Sequence, residues 1–175
     1  MILLRPAAPA PAALLPGSFN PLHPGHVRLA EVAAARLVGA VHFELSAANV
    51  DKPDLPAAEV ERRIGQFAGV GPVWVTRAPT FVEKARLFPG VAFVVGHDTA
   101  VRVADPKYYG GAAARDAALA ELLACRVRFL VGGRVDAAGL FRQWAGDVGE
   151  LFEVIPEAEF RVDVSSTALR GERGA

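Results

Sequence analysis

The sequence has little cysteine and no excess of charge of either sign. Its single cysteine, Cys125, cannot form an internal disulfide, which favours a reducing compartment. Nineteen basic residues (Lys and Arg) balance nineteen acidic ones, so no broad basic face for nucleic acid or an anionic membrane is indicated. No uncharged apolar run is long enough to span a bilayer. We therefore expect a cytoplasmic protein without nucleic-acid or membrane partners, in which any anion site is local.

The amino-terminal residues are rich in proline and alanine. The stretch "MILLRPAAPAPAALLP" has too short an apolar core and too many prolines to resemble a signal peptide. A chain of 175 residues with 52% hydrophobic composition suits one core. We interpret residues 1–11 as an N-terminal arm and residues 12–175 as one domain. The sequence leaves the oligomeric state open, a homo-oligomer included.

Short β-branched runs alternate with longer helical patterns along the chain. Strands are predicted at 12–16, 41–46, 72–76, 91–95, 126–131 and 151–155, and helices at 24–37, 57–68, 80–87, 112–124, 139–146 and from 166. This alternation predicts the α/β class, with a doubly wound, Rossmann-like parallel sheet of strand order 3-2-1-4-5 and helices on both faces. In such sheets ligands bind beyond the carboxyl ends of the strands, where the strand order reverses.

The segment "GSFNPLHPGH", residues 17–26, follows the first predicted strand. Pro24 suits the first turn of a helix, so the helix begins next to His23, and His26 lies on the same helix face three residues later. A helix start presents free backbone N–H groups and the positive end of the helix dipole, which together attract anions. Two imidazoles at that point suit a polyphosphate, whose transfer chemistry depends on positioning and charge stabilisation. A zinc site and a plain helix cap remain alternatives.

Glycines flank the same loop. Gly17 permits a sharp turn out of the strand, so that the amides of Ser18 and Phe19 can point at phosphate oxygens. Gly25 lacks a Cβ and permits close approach of a base or a phosphate. The Phe19 ring is either a stacking surface for a base or part of the core, and the same holds for Trp74.

Two further segments carry residues suited to a nucleotide site. In "VSSTALR", residues 164–170, three hydroxyl side chains precede a short helix pattern and Arg170 offers a bidentate fork for phosphate; a helix cap with a surface arginine is the alternative. In "GHDT", Gly96 ends a strand and Asp98 either binds a substrate hydroxyl or caps the next helix. Lys52 is either a phosphate ligand or a solvated lysine, and His42, within a strand pattern, is interpreted as structural.

These motifs resemble those of the nucleotidylyltransferase superfamily. "GSFNPLHPGH" is similar to its (H/T)xGH signature and "VSSTALR" to its (I/V)SSTxxR element, so the resemblance covers nearly all of residues 12–171. "GHDT" and "ELSAANVDKPDL" resemble segments of the nicotinamide and nicotinate mononucleotide adenylyltransferases, the branch to which the sequence is most similar. Unlike the nicotinate branch, the chain has no tryptophan between Trp74 and Trp144, which leaves the acceptor open.

The resemblance implies an enzyme that transfers AMP from ATP to nicotinamide or nicotinate mononucleotide, releases pyrophosphate, uses Mg²⁺ with the ATP, and acts in NAD biosynthesis. It implies these residue roles: catalytic His23, His26 and Arg170; nucleotide-binding Gly17, Ser18, Phe19, Gly25, Ser165, Ser166 and Thr167; substrate-binding Lys52, Gly96 and Asp98. The alternatives are a cytidylyl- or adenylyltransferase for another phosphorylated acceptor, a non-catalytic nucleotide-binding or regulatory protein, and an ATP hydrolase on the same fold.

Overall fold

A mostly parallel sheet lies between two layers of helices in the computed structural model, which describes residues 1–48, 53–136, 138–146 and 149–162. The strands are β1 (Ile2–Leu4), β2 (Ala13–Pro16), β3 (Val41–Ser46), β4 (Val73–Thr76), β5 (Ala92–Gly96), β6 (Arg128–Gly132), β7 (Arg134–Val135), β8 (Phe141–Arg142) and β9 (Phe152–Ile155). The helices are α1 (Pro24–Leu37), α2 (Ala57–Gly65), α3 (Phe81–Leu87), α4 (His97–Ala104) and α5 (Ala112–Ala124), with short 3₁₀ turns at Pro106–Tyr108 and Gly149–Leu151.

The main sheet has the strand order β1-β4-β3-β2-β5-β6-β9. The predicted α/β class is confirmed, and the predicted order 3-2-1-4-5 corresponds to β4-β3-β2-β5-β6 within this sheet. The sheet extends beyond that prediction at both edges, where β9 pairs parallel with β6 and β1 pairs antiparallel with β4. Strand β1 lies within the residues that we interpreted as an arm. Strand order reverses between β2 and β5, which are hydrogen-bonded neighbours.

Helices cover both faces of the sheet because its central strands are apolar on both sides. Ala13 and Leu15 of β2 pack toward the core shared with α1 and α2, whereas Leu14 packs toward α3, α4 and α5. Register aligns the ends of β2 and β3, with Pro16 opposite Glu44, so that both strands end at the same edge. Among the described residues, no helix is long and apolar enough to cross a membrane.

The prediction of a helix at 139–146 is wrong. Residues in that range form strand β8, which pairs antiparallel with β7 as a separate hairpin. Two local features favour the hairpin: the Asp136 carboxylate accepts hydrogen bonds from the backbone N–H groups of Ala138 and Leu140, and Gly139 has a φ of 77°. An Asp that binds the backbone ahead of it and a left-handed glycine form a turn rather than a helix. Helix α4, directly after β5, was absent from the predicted helices, and the helix predicted from 166 lies outside the described residues.

Candidate active site

A cavity of about 310 Å³ opens at the carboxyl ends of β2, β5 and β6, at the point where strand order reverses. We call it the crevice. Of the residues predicted for the site, the crevice is lined by Gly17, Ser18, His23, Gly25, His26, Gly96 and Asp98. His97, Thr99, Gly133, Arg134, Phe160 and Val162 line it as well. Two loops separated by about 75 residues in the chain, after β2 and after β5, therefore face one space, as the predicted topology requires.

The two imidazoles at the start of α1 lie face to face. His23 is the N-cap residue, and its ring centroid lies 3.8 Å from that of His26, with a 27° angle between the ring planes. The backbone N–H of His23 donates a hydrogen bond to Nδ1 of His26 at 3.3 Å. A neutral His26 that accepts at Nδ1 carries its proton on Nε2, so Nε2 is a donor. The two histidines therefore take part in capping α1, as one alternative expected, and they also line the crevice.

Burial keeps both histidines uncharged at neutral pH. It lowers the pKa of His26 to about 3, with a smaller contribution from the charge of His23. Burial also lowers the pKa of His23. Nδ1 of His23 is buried and has no hydrogen-bond partner among the residues that the structure describes. Buried polar atoms normally have a partner, so this unpaired atom distinguishes His23 from a fully hydrogen-bonded structural histidine.

Two helix N-termini point toward the crevice. Helix α1 has no acidic side chain in its first turn, and helix α4 has Gly96 as its N-cap residue, without a side-chain cap, and Asp98 in its first turn. A Cβ built on Gly96 would meet no atom of the described residues within 4 Å, and Gly96 lines the crevice. Free backbone N–H groups and two positive dipole ends around one cavity form an anion-binding environment.

Arg134 is a crevice residue that the sequence analysis missed. It follows Gly132, the last residue of β6, and Gly133, and it forms an ion pair with Asp98 in the first turn of α4. Among the described residues that line the crevice, Arg134 is the one lysine or arginine and Asp98 the one carboxylate. The signal was present in "LVGGRV": two glycines and a cation at the carboxyl end of the strand next to the one that carries "GHDT".

Several predicted residues lie elsewhere or outside the described residues. The Phe19 ring is fully buried against Phe43 and Phe67 and does not line the crevice, which leaves only its backbone for ligand contact. Trp74 is buried too, and its Nε1 donates to Nδ1 of His42, so both are core residues. The following lie outside the described residues: Lys52, Ser165, Ser166, Thr167 and Arg170.

No cluster of three or more His, Cys, Asp or Glu side chains suited to a metal ion occurs within 1–48, 53–136, 138–146 and 149–162. The zinc alternative for the histidine pair requires further ligands beyond these two. In the crevice, Asp98 is already paired with Arg134. The described side chains thus suit an anion better than a protein-held cation.

Comparison with known proteins agrees with the class that the fold and the crevice define, a nucleotidyltransferase of the α/β type. Residues 14–172 match the model of the family described as Cytidylyltransferase-like. The chain belongs to this family, within the superfamily that its motifs resemble.

A curated relative gives a shorter match. The chain is 42% identical over 67 residues to the bifunctional protein HldE of Pseudomonas syringae pv. syringae (strain B728a). The matched region covers 36% of this chain and 14% of that protein, so the chain spans only a small part of the length of the curated relative it matches. The similarity to HldE therefore supports the family and leaves the acceptor to be established.

Proposed function

We propose that the protein transfers AMP from ATP to a phosphorylated small molecule and releases pyrophosphate. The observation that carries the proposal is the convergence on one crevice of two helix N-termini, the stacked pair His23 and His26, and the cation of Arg134. These groups supply hydrogen-bond donors and, in the Arg134–Asp98 pair, a cation at the edge of the crevice. Phosphoryl-type transfer depends on such positioning and charge stabilisation more than on a protein nucleophile.

In the proposed reaction an oxygen of the acceptor phosphate attacks the α-phosphorus of ATP in line. The bond between the α-phosphorus and its bridging oxygen breaks, and pyrophosphate leaves with the electron pair. The neutral His26 donates from Nε2 to a phosphate oxygen on which negative charge increases. Loss of one such preorganised donor typically lowers kcat by about 10²- to 10³-fold. The alignment of two bound substrates supplies the remaining acceleration.

Mg²⁺ belongs to the proposal as the partner of the nucleotide phosphates. The described crevice residues fit a metal ion that is bound mainly by the nucleotide phosphates and water. They include one carboxylate, Asp98, and no cluster of oxygen donors that could hold the ion alone. Mg²⁺ keeps several waters and is typically held by few carboxylates plus substrate phosphates. When bound, it neutralises part of the phosphate charge, and the roles of His23, His26 and Arg134 stay as described.

For the acceptor we propose nicotinamide or nicotinate mononucleotide, and with it a place in NAD biosynthesis. The support is the resemblance of "GHDT" and of the segment after β3 to the corresponding adenylyltransferases. The lack of a tryptophan between Trp74 and Trp144 favours testing other phosphorylated acceptors in parallel. It also favours testing two alternative functions for this protein, nucleotide binding without an acceptor and hydrolysis of ATP.

The experiment measures pyrophosphate release from ATP and from CTP against a panel of phosphorylated acceptors. Release that depends on acceptor supports transfer, release without acceptor indicates a hydrolase, and nucleotide binding without release indicates a regulatory protein. His26→Ala is expected to remove the transfer activity while the circular dichroism spectrum stays that of the wild type. Unchanged turnover in this variant would contradict the site assignment.

A further inference from the structure

The loop that carries the histidines receives support from α2, which neither the motifs nor the proposed chemistry include. Arg63 donates from Nη1 to the backbone carbonyl of Ser18 at 2.8 Å. Gln66, directly after α2, donates from Nε2 to the carbonyl of Phe19 and accepts from the N–H of Leu22, both at 2.9 Å. Three backbone groups of one irregular loop are thus paired by two side chains from a distant element.

The burial of Arg63 and the fixed direction of its guanidinium indicate that its contact with the loop is a specific structural feature. Arg63 is only 8% exposed, although arginine is among the residues least often buried. Its Nε donates to Glu59 one turn earlier at 2.7 Å, which fixes the direction of the guanidinium. Because the carbonyl of Ser18 receives a charged donor, loss of that donor removes a charge-assisted hydrogen bond to the loop backbone.

The segment directly after α2 also contacts the Phe19 side chain of the loop. Phe67 contacts the Phe19 ring edge to face at 4.9 Å, and the Phe19 ring in turn contacts that of His26 at 5.1 Å. Phe19 has a φ of 45°, a left-handed conformation that a bulky residue adopts only when its surroundings impose it. A Cβ on Gly17 would lie 2.7 Å from the Phe19 ring, so the turn and the ring are coupled.

We infer that Arg63 and Gln66 are positioning residues for the triphosphate. They hold residues 17–22 so that the backbone amides of Ser18 and Phe19 and the imidazole of His26 face the nucleotide. This inference rests on the proposed function for its ligand, and on the free protein alone for the clamp itself. Neither side chain lines the crevice. Their effect therefore passes through the loop backbone and through Phe19.

The test compares Arg63→Met and Gln66→Leu with two matched controls. Arg86→Met removes a last-turn arginine of α3 whose partner is Glu121, and Gln143→Leu alters an exposed glutamine. Hydrogen exchange of residues 17–22 in the free protein measures the clamp, and calorimetric titration with MgATP measures positioning. All variants are compared at a temperature well below their own Tm.

We expect exchange in residues 17–22 to rise by about tenfold in both clamp variants and to stay at the wild-type rate in both controls. We expect the affinity for MgATP to fall by about 10- to 100-fold, with the acceptor KM unchanged. Arg63→Lys, which keeps a charged donor, is expected to recover most of that affinity.

Each other result has a defined meaning. Unchanged exchange in Arg63→Met and Gln66→Leu overturns the clamp. Faster exchange with wild-type MgATP affinity overturns the positioning role, because the contacts then serve stability alone. If the wild-type protein binds neither ATP nor CTP, the proposed function fails, whereas the exchange data still decide whether the clamp exists.

Discussion

The lowered pKa of His26 makes the stability of the protein depend on pH in a way that one substitution can isolate. The perturbation is His26→Asn, because an asparagine oxygen can accept the hydrogen bond that Nδ1 of His26 accepts from the His23 N–H. Asparagine does not titrate, so the difference between the two proteins reports the imidazole alone. His42, whose pKa burial also lowers, is present in both proteins and cancels in the comparison, whereas the difference attributed to the His26 imidazole includes its interaction with the charge of His23.

The magnitude follows from the two pKa values of His26. Its pKa is about 3 in the folded protein and 6.5 in the unfolded chain, so below pH 6.5 the unfolded chain binds the proton more readily. The contribution to stability is therefore complete above pH 6.5 and is lost as the pH falls toward 3. Each pH unit in this window costs about 1.4 kcal/mol, which gives a loss of about 2 kcal/mol at pH 5.

The assay is urea unfolding of both proteins at pH 8, 7, 6 and 5, followed by circular dichroism. Relative to His26→Asn, the wild-type free energy of unfolding is expected to fall by about 2 kcal/mol between pH 8 and pH 5, with no change in the urea m value. A constant difference over this range would refute the reasoning. It would mean that the imidazole is solvated in the folded protein rather than buried as described.

Three other substitutions test packing and the crevice. Gly132→Ala is expected to cost about 1–3 kcal/mol in urea unfolding, because its Cβ would lie 2.7 Å from a leucine methyl group of α1, whereas Gly65→Ala, with open space around it, should gain about 0.5 kcal/mol. Arg134→Ala should lower kcat/KM by about 10- to 100-fold and Arg142→Ala, in the same hairpin, should not; equal effects would contradict a substrate role. From its motif, Arg170→Ala is predicted to weaken triphosphate binding in calorimetry, and equal affinity would make Arg170 structural.

Features encoded by neighbouring residues could be predicted from the sequence. Helix α1 begins at Pro24 and ends at Leu37 as predicted, because Pro24 and the apolar spacing after it determine the helix through neighbouring residues alone. The predicted parallel order then brought the loops after β2 and β5 together, and the crevice follows from that topology. The roles of the residues that line it stay predictions.

Contacts between distant residues could not be predicted in this way. Arg63 and Gln66 pair with backbone groups more than 40 residues earlier in the chain. From the sequence alone, both residues are ordinary polar positions of an amphipathic helix. The ion pair between Asp98 and Arg134 likewise joins elements 36 residues apart. The β7–β8 hairpin was missed because Phe141 in β8 and Trp144 after it are three residues apart, a spacing that also fits a helix until the turn at Asp136 is recognised.

The pairing of Trp74 with His42 provides a built-in optical signal. Trp74 is 5% exposed on β4, near one edge of the sheet, while Trp144, the second indole of the chain, stacks on Phe152 of β9 at the opposite edge. Indole fluorescence shifts to longer wavelength when water reaches the ring. In a Trp144→Phe background, the emission of Trp74 thus reports exposure of the core around β4 without an added dye.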